Sequence, residues 1–114
     1  MKERVKIIGR EAVMNMLSSP AKPVLVDVLS REHYEQEHIK GAISLPVDEI
    51  KERAPVMFSK DDMIVVYCAS FECQASTRAA ELLQELGFKN VLDYKGGLKD
   101  YARKLHTYHH LMAL

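Results

Sequence analysis

Three short apolar runs punctuate the chain: Val24-Leu25-Val26-Asp27-Val28, Met63-Ile64-Val65-Val66-Tyr67 and Asn90-Val91-Leu92-Asp93-Tyr94. The first two hardly alternate between apolar and polar, and runs of this length rich in β-branched residues suit strands buried on both faces. Val5 to Ile8 is a fourth candidate. Ala42-Ile43-Ser44-Leu45, just before Pro46, suits a short edge strand, because proline has no N–H to give a central ladder.

Between these runs the apolar positions recur with helical spacing. From Gln74 to Leu86, residues Ala75, Ala79, Leu82, Leu83 and Leu86 fall on one stripe, and Gly87 supplies a stop. Weaker patterns predict helices at Arg10 to Leu17, ended by Ser18-Ser19-Pro20, and at Ser30 to Glu37, with Ser30 as cap. A short helix is expected at Val47 to Arg53, and Leu98 to Leu114 reads as a C-terminal helix that frays at its end. Strands alternating with helices predict an α/β fold with a mainly parallel sheet covered on both faces, since parallel neighbours need crossovers that helices provide.

With 114 residues and no internal repeat, linker or low-complexity tract, the chain is expected to form a single domain over residues 1–114. Sixteen basic and sixteen acidic residues cancel, so no chain-wide field draws in nucleic acid or an anionic membrane. No apolar run approaches the roughly 20 residues that span a bilayer, and the opening MKERVKIIGRE lacks the apolar stretch of a signal peptide. A cytoplasmic location is expected. In a reducing compartment the two cysteines, Cys68 and Cys73, are expected to be free or reactive rather than structural.

Cys68 follows directly on the strand Met63 to Tyr67, and a helix starts a few residues later. Open α/β sheets bind ligands outside the carboxyl ends of their strands, so this is where such a fold places its chemistry. The turn Ala69-Ser70-Phe71-Glu72-Cys73 can aim backbone N–H groups at the sulfur while the helix end adds its positive pole. That arrangement predicts a thiolate and hence a nucleophile. On position alone, a small buried cysteine at a strand end explains Cys68 equally well.

Taken together, these residues resemble the rhodanese family from Lys6 to Tyr101. Val24 to Val28 is similar to the family's strand ending in an Asp-Val pair. His38-Ile39-Lys40-Gly41-Ala42 through Pro46 resembles its H-I-x-G-A-x-x-x-P stretch, Ile64 to Cys68 its strand into the active-site cysteine, and Lys95-Gly96-Gly97-Leu98 its late double-glycine turn. The resemblance implies a three-layer α/β/α domain with five central strands, and a sulfurtransferase that carries sulfane sulfur as a persulfide on Cys68. Ala69, Ser70, Phe71, Glu72, Cys73 and Gln74 would then line the substrate. No metal or organic cofactor is required. The partners would be a sulfur donor, whether persulfide, polysulfide or thiosulfate, and a thiophilic acceptor; oligomeric state is not legible.

Departures narrow the reading. Leu29 stands where the family often has arginine, with Arg31 as a substitute to consider, and Tyr101 stands where tryptophan is common. The loop after Cys68 is slightly long, as in relatives that act as phosphatases or arsenate reductases. Those phosphatases hold the substrate with C-x5-R, yet the sixth residue after Cys68 is Gln74, no lysine or arginine lies between Cys68 and Arg78, and Glu72 is negative. An uncharged loop favours persulfide donors over thiosulfate. The alternatives are a noncatalytic binding or regulatory module, and a thiol-redox, arsenate reductase or phosphatase-like activity using Cys68 with Cys73. Three readings stay open for Cys73: a passive residue at the helix start, a resolving thiol, or a sulfur recipient.

His106, His109 and His110 share helical spacing but have no acidic or cysteine neighbours in sequence, so an exposed terminal helix outweighs a metal site. His38 is assigned to the Ile39-Lys40-Gly41 turn, with no general-base role for it or His33. Asp27 is assigned to nearby donors and Met14, Met57 and Met63 to the core. Phe71 either walls a substrate pocket or packs the loop down.

Overall fold

The computed structural model describes residues 4–104 and 112–113, with side chains described through Ala102. Among them the elements run β1 (Lys6–Ile7), α1 (Arg10–Ser18), β2 (Val24–Asp27), α2 (Arg31–Gln36), β3 (His38–Ile39), β4 (Ile43–Ser44), a 3-10 turn (Val47–Glu49), α3 (Ile50–Met57), β5 (Met63–Tyr67), α4 (Ala75–Glu85), β6 (Asn90–Tyr94), α5 (Gly97–Lys104) and β7 (Met112–Ala113). Five strands form one sheet in the order β1-β6-β5-β2-β4, every neighbouring pair parallel.

The lack of alternation in the strands has a direct cause: both faces of the sheet are covered. Ile64, Val66 and Cys68 pack with Ala54 of α3 and with Ala79 and Leu83 of α4. Val65 and Tyr67 point the other way, into Val13 of α1 and Leu98 and Tyr101 of α5. The result is a three-layer α/β/α arrangement, with β5 at its centre between β2 and β6. Ser30 caps α2 by accepting the His33 N–H at 3.1 Å, as its position suggests. Gly87, with φ +98°, ends α4 in the left-handed conformation that glycine adopts without penalty.

Several sequence expectations need correction. The helix expected to stop at Arg53 continues through Pro55 to Met57. Proline costs it one hydrogen bond, but Ile50 and Ala54 are wholly buried and the Ala54 carbonyl accepts the Phe58 N–H at 2.9 Å, so packing holds the last turn. Leu98 to Leu114 is not one helix: α5 is described to Lys104, and Met112–Ala113 pairs antiparallel with His38–Ile39, a strand that no periodicity announced. Two-residue strands carry too few side chains to show a period, and their pairing is set by backbone groups that need partners. Met14 packs against the core, but Met57 and Met63, 38% and 40% exposed, do not fill it, because each stands at the end of its element.

Candidate active site

The chain leaves the sheet at Cys68, turns through residues 69–74 and enters α4 at Ala75. The first-turn N–H groups of a helix have no partner within it, and one of them is used here: Ser76 N–H donates to Cys68 Sγ at 3.4 Å. The Cys68 thiol is wholly buried and donates to the Cys73 carbonyl at 3.6 Å. A second helix end fixes the start of the loop. Leu98 N–H donates to the Cys68 carbonyl at 2.9 Å, and Lys99 N–H to the Ala69 carbonyl at 2.8 Å. Gly97 makes this approach possible. It adopts φ +63°, and a Cβ there would lie 2.1 Å from the Cys68 carbonyl oxygen.

The influences on the expected Cys68 thiolate pull in opposite directions. Burial pushes the Cys68 thiol up from its ordinary pKa, contact with the Cys73 thiol adds to this, and hydrogen bonding from Ser76 only partly opposes it. Ser76 is the residue that opposes burial here, with its N–H 3.4 Å from the sulfur. Cys73 behaves in the opposite way. Burial raises it as well, but the Cys68 thiol, the backbone N–H groups of Ala69 and Ala75 and the charge of Lys95 together carry it below the ordinary thiol value.

The loop is also less uncharged than its own residues suggest. Lys95, at the end of β6, brings its ammonium to 2.9 Å from the Cys73 carbonyl. Lys99 faces Glu72, whose carboxyl is held below its ordinary value first by hydrogen bonding with Ser70 and also by that charge. Both lysines lie far from Cys68 in sequence, so only the pairing of β6 beside β5 and the docking of α5 on the loop could have revealed them.

The six residues expected to line the substrate divide by position. Ala69 and Ser70 border a cleft of about 340 Å³ with His33, Glu37, Leu98, Lys99 and Ala102. Ser70, Phe71 and Glu72 border a smaller one of about 140 Å³ with Lys99 and Asp100. Phe71 is 56% exposed, so it does not pack the loop down. Gln74 is exposed at the head of α4, and Cys73 is half-buried against Cys68. A larger cleft, about 390 Å³, is lined by Met63 and Asn90 at the opposite ends of β5 and β6, away from the edge where parallel sheets bind ligands.

Other candidates have other employment. Asp27 Oδ1 accepts the Leu29 N–H at 3.0 Å. Arg31 pairs with Glu49 rather than approaching the loop. His38 stacks on Tyr34, with ring centroids 3.9 Å apart, and its Nδ1 lies 2.7 Å from the Tyr34 carbonyl. Tyr101 packs edge-on against Tyr94. His106, His109 and His110 lie outside the described residues. Among the described residues, no helix is long and apolar enough to cross a membrane.

A covered parallel sheet whose central strand delivers a cysteine to the head of a helix defines an α/β protein with a thiol site at its carboxyl edge. The rhodanese-like domain family matches residues 10–104, and the chain belongs to that family. It is 44% identical over 78 residues to the thiosulfate sulfurtransferase PspE of Escherichia coli, covering 68% of this chain and 72% of that protein. It is 35% identical over 100 residues to a tRNA uridine(34) hydroxylase of Photorhabdus laumondii, covering 82% of this chain but only 27% of that longer protein. Among solved structures, a protein from Anabaena sp. superposes with a TM-score of 0.77 at 30% identity, covering 85% of this chain and 86% of that one.

Proposed function

We propose that the chain is a cytoplasmic sulfurtransferase that holds sulfane sulfur as a persulfide on Cys68. In the first displacement the terminal sulfur of a donor persulfide is taken by the protein thiolate, and the rest of the donor leaves as a thiolate. In the second, an acceptor thiolate attacks the outer sulfur of Cys68–S–S⁻, takes it away as a persulfide and returns the cysteine. The observation that carries this reading is Cys68 itself, buried at the head of α4 with the Ser76 N–H on its sulfur. That N–H and the positive helix end suit a bound S–S⁻ anion.

Kinship with a protein named thiosulfate sulfurtransferase supports the activity class. Lys95 and Lys99 beside the loop also bring thiosulfate back as a donor alongside persulfides and polysulfide. The test is to expose the protein to each donor, remove the donor, and map added sulfur by peptide mass spectrometry. Wild type should carry one extra sulfur on Cys68 and pass it to an acceptor thiol, whereas Cys68→Ser should pass on far less. No sulfur on Cys68 of wild type with any donor, or equal transfer to the acceptor by Cys68→Ser, overturns the proposal.

A further inference from the structure

Cys68 and Cys73 form a pair whose members differ in access. Cys68 has no exposed surface, while Cys73 is half-buried beside it, its carbonyl 3.6 Å from the Cys68 sulfur and its thiol interacting with it. Several influences favour a negative sulfur on the outer thiol: hydrogen bonding with the Ala69 and Ala75 backbone and the charge of Lys95, whose ammonium sits on the Cys73 carbonyl. The inner sulfur is supported by Ser76 and donates its own proton to the Cys73 carbonyl. A donor reaching the loop from solvent meets Cys73 first.

We infer that sulfur enters this site through Cys73, which takes it from the donor and hands it inward to Cys68. The inference rests on the sulfurtransferase reading and adds a second catalytic thiol to it. In the entry step the Cys73 thiolate attacks the outer sulfur of R–S–SH, forming Cys73–S–SH as the donor S–S bond breaks and R–S⁻ leaves. In the hand-over the Cys68 sulfur attacks that outer sulfur, the bond to Cys73 Sγ breaks, and the proton lost by Cys68 passes to the departing Cys73 sulfur. Cys68–SH and Cys73–S–SH become Cys68–S–SH and Cys73–SH, with no change in redox state and no outside oxidant. On Cys68 the persulfide is less exposed than on Cys73, so an acceptor that fits the loop reaches it ahead of small solvent thiols. The lowered pKa of Cys73 fits the role of first nucleophile.

The test follows loading in time, with a thiol-reactive alkylating agent trapping persulfides while donor polysulfide is still present. Variants Cys68→Ser and Cys73→Ser are first shown to unfold at the wild-type urea midpoint. Cys68→Ser should show trapped sulfur on Cys73. Cys73→Ser should load Cys68 at least severalfold more slowly than wild type, because sulfur then has to enter at the buried thiol directly. Loading of Cys68 at the wild-type rate in Cys73→Ser overturns the relay while leaving the persulfide on Cys68 intact. A wild-type protein that takes up no sulfur overturns both.

Discussion

At the scale of single residues, Gly97 is the position where sequence and site are most tightly joined. It lets the head of α5 donate to the Cys68 and Ala69 carbonyls, and neither its φ of +63° nor its distance to Cys68 leaves room for a side chain. Gly97→Ala should cost at least about 1–2 kcal/mol from the left-handed backbone alone. The contact with the Cys68 carbonyl adds to that, so the variant should show a lower urea midpoint together with slower sulfur loading. Loading unchanged at a lowered midpoint would mean that the loop keeps its shape without α5. Gly96 is also confined, since a Cβ there would meet Asp100 Cβ at 2.5 Å. The double glycine is thus two separate steric requirements.

At the scale of elements, α4 does two jobs: its apolar face closes one side of the sheet and its first turn meets the sulfur. Leu83, 1% exposed, belongs to the first job. Leu83→Ala should destabilise the fold by about 2–5 kcal/mol, measured by urea unfolding, because a buried leucine leaves both lost contacts and a cavity. Under conditions where the variant stays folded, sulfur loading should persist. Strands β5 and β6 and the body of α4 were legible because many residues repeat one preference, and Cys68 was legible because a strand-to-helix turn marks it. The Lys95 contact was not, since it depends on β6 lying in register beside β5, with Tyr94 opposite Tyr67. Nor was the direction of the Cys68 shift, because burial of a sulfur depends on the elements packed over it. The pairing of β3 with β7 escaped for the same reason: it joins residues distant in sequence through backbone groups alone.

At the scale of the whole molecule, burial of Asp27 ties stability to pH. Burial holds its carboxyl above the ordinary 3.8, although the Leu29 N–H and the Tyr67 hydroxyl draw it back. The folded protein therefore binds this proton more tightly than the unfolded chain. The linked stability is complete below the unfolded value and is lost as pH rises through the raised folded value. Asp27→Asn keeps an acceptor for Leu29 and has no charge to bury, so its urea midpoint should fall less than that of wild type between acidic and neutral pH. An identical fall in both would remove Asp27 as the cause. The family match extends over most of the chain, and the site draws on most of that length: β5 supplies the sulfur, α4 and α5 the amides, and β6 a cation. The attachment of Cys68 and Ala69 to α5 and the start of α4 at Ala75 hold the loop at both ends, and within it Cys73 is tied back to Ser70, to the Cys68 thiol and to Lys95. The stretch free to vary is the exposed pair Phe71 and Glu72, so the rim of the entrance can change under selection while the reacting atom stays in place.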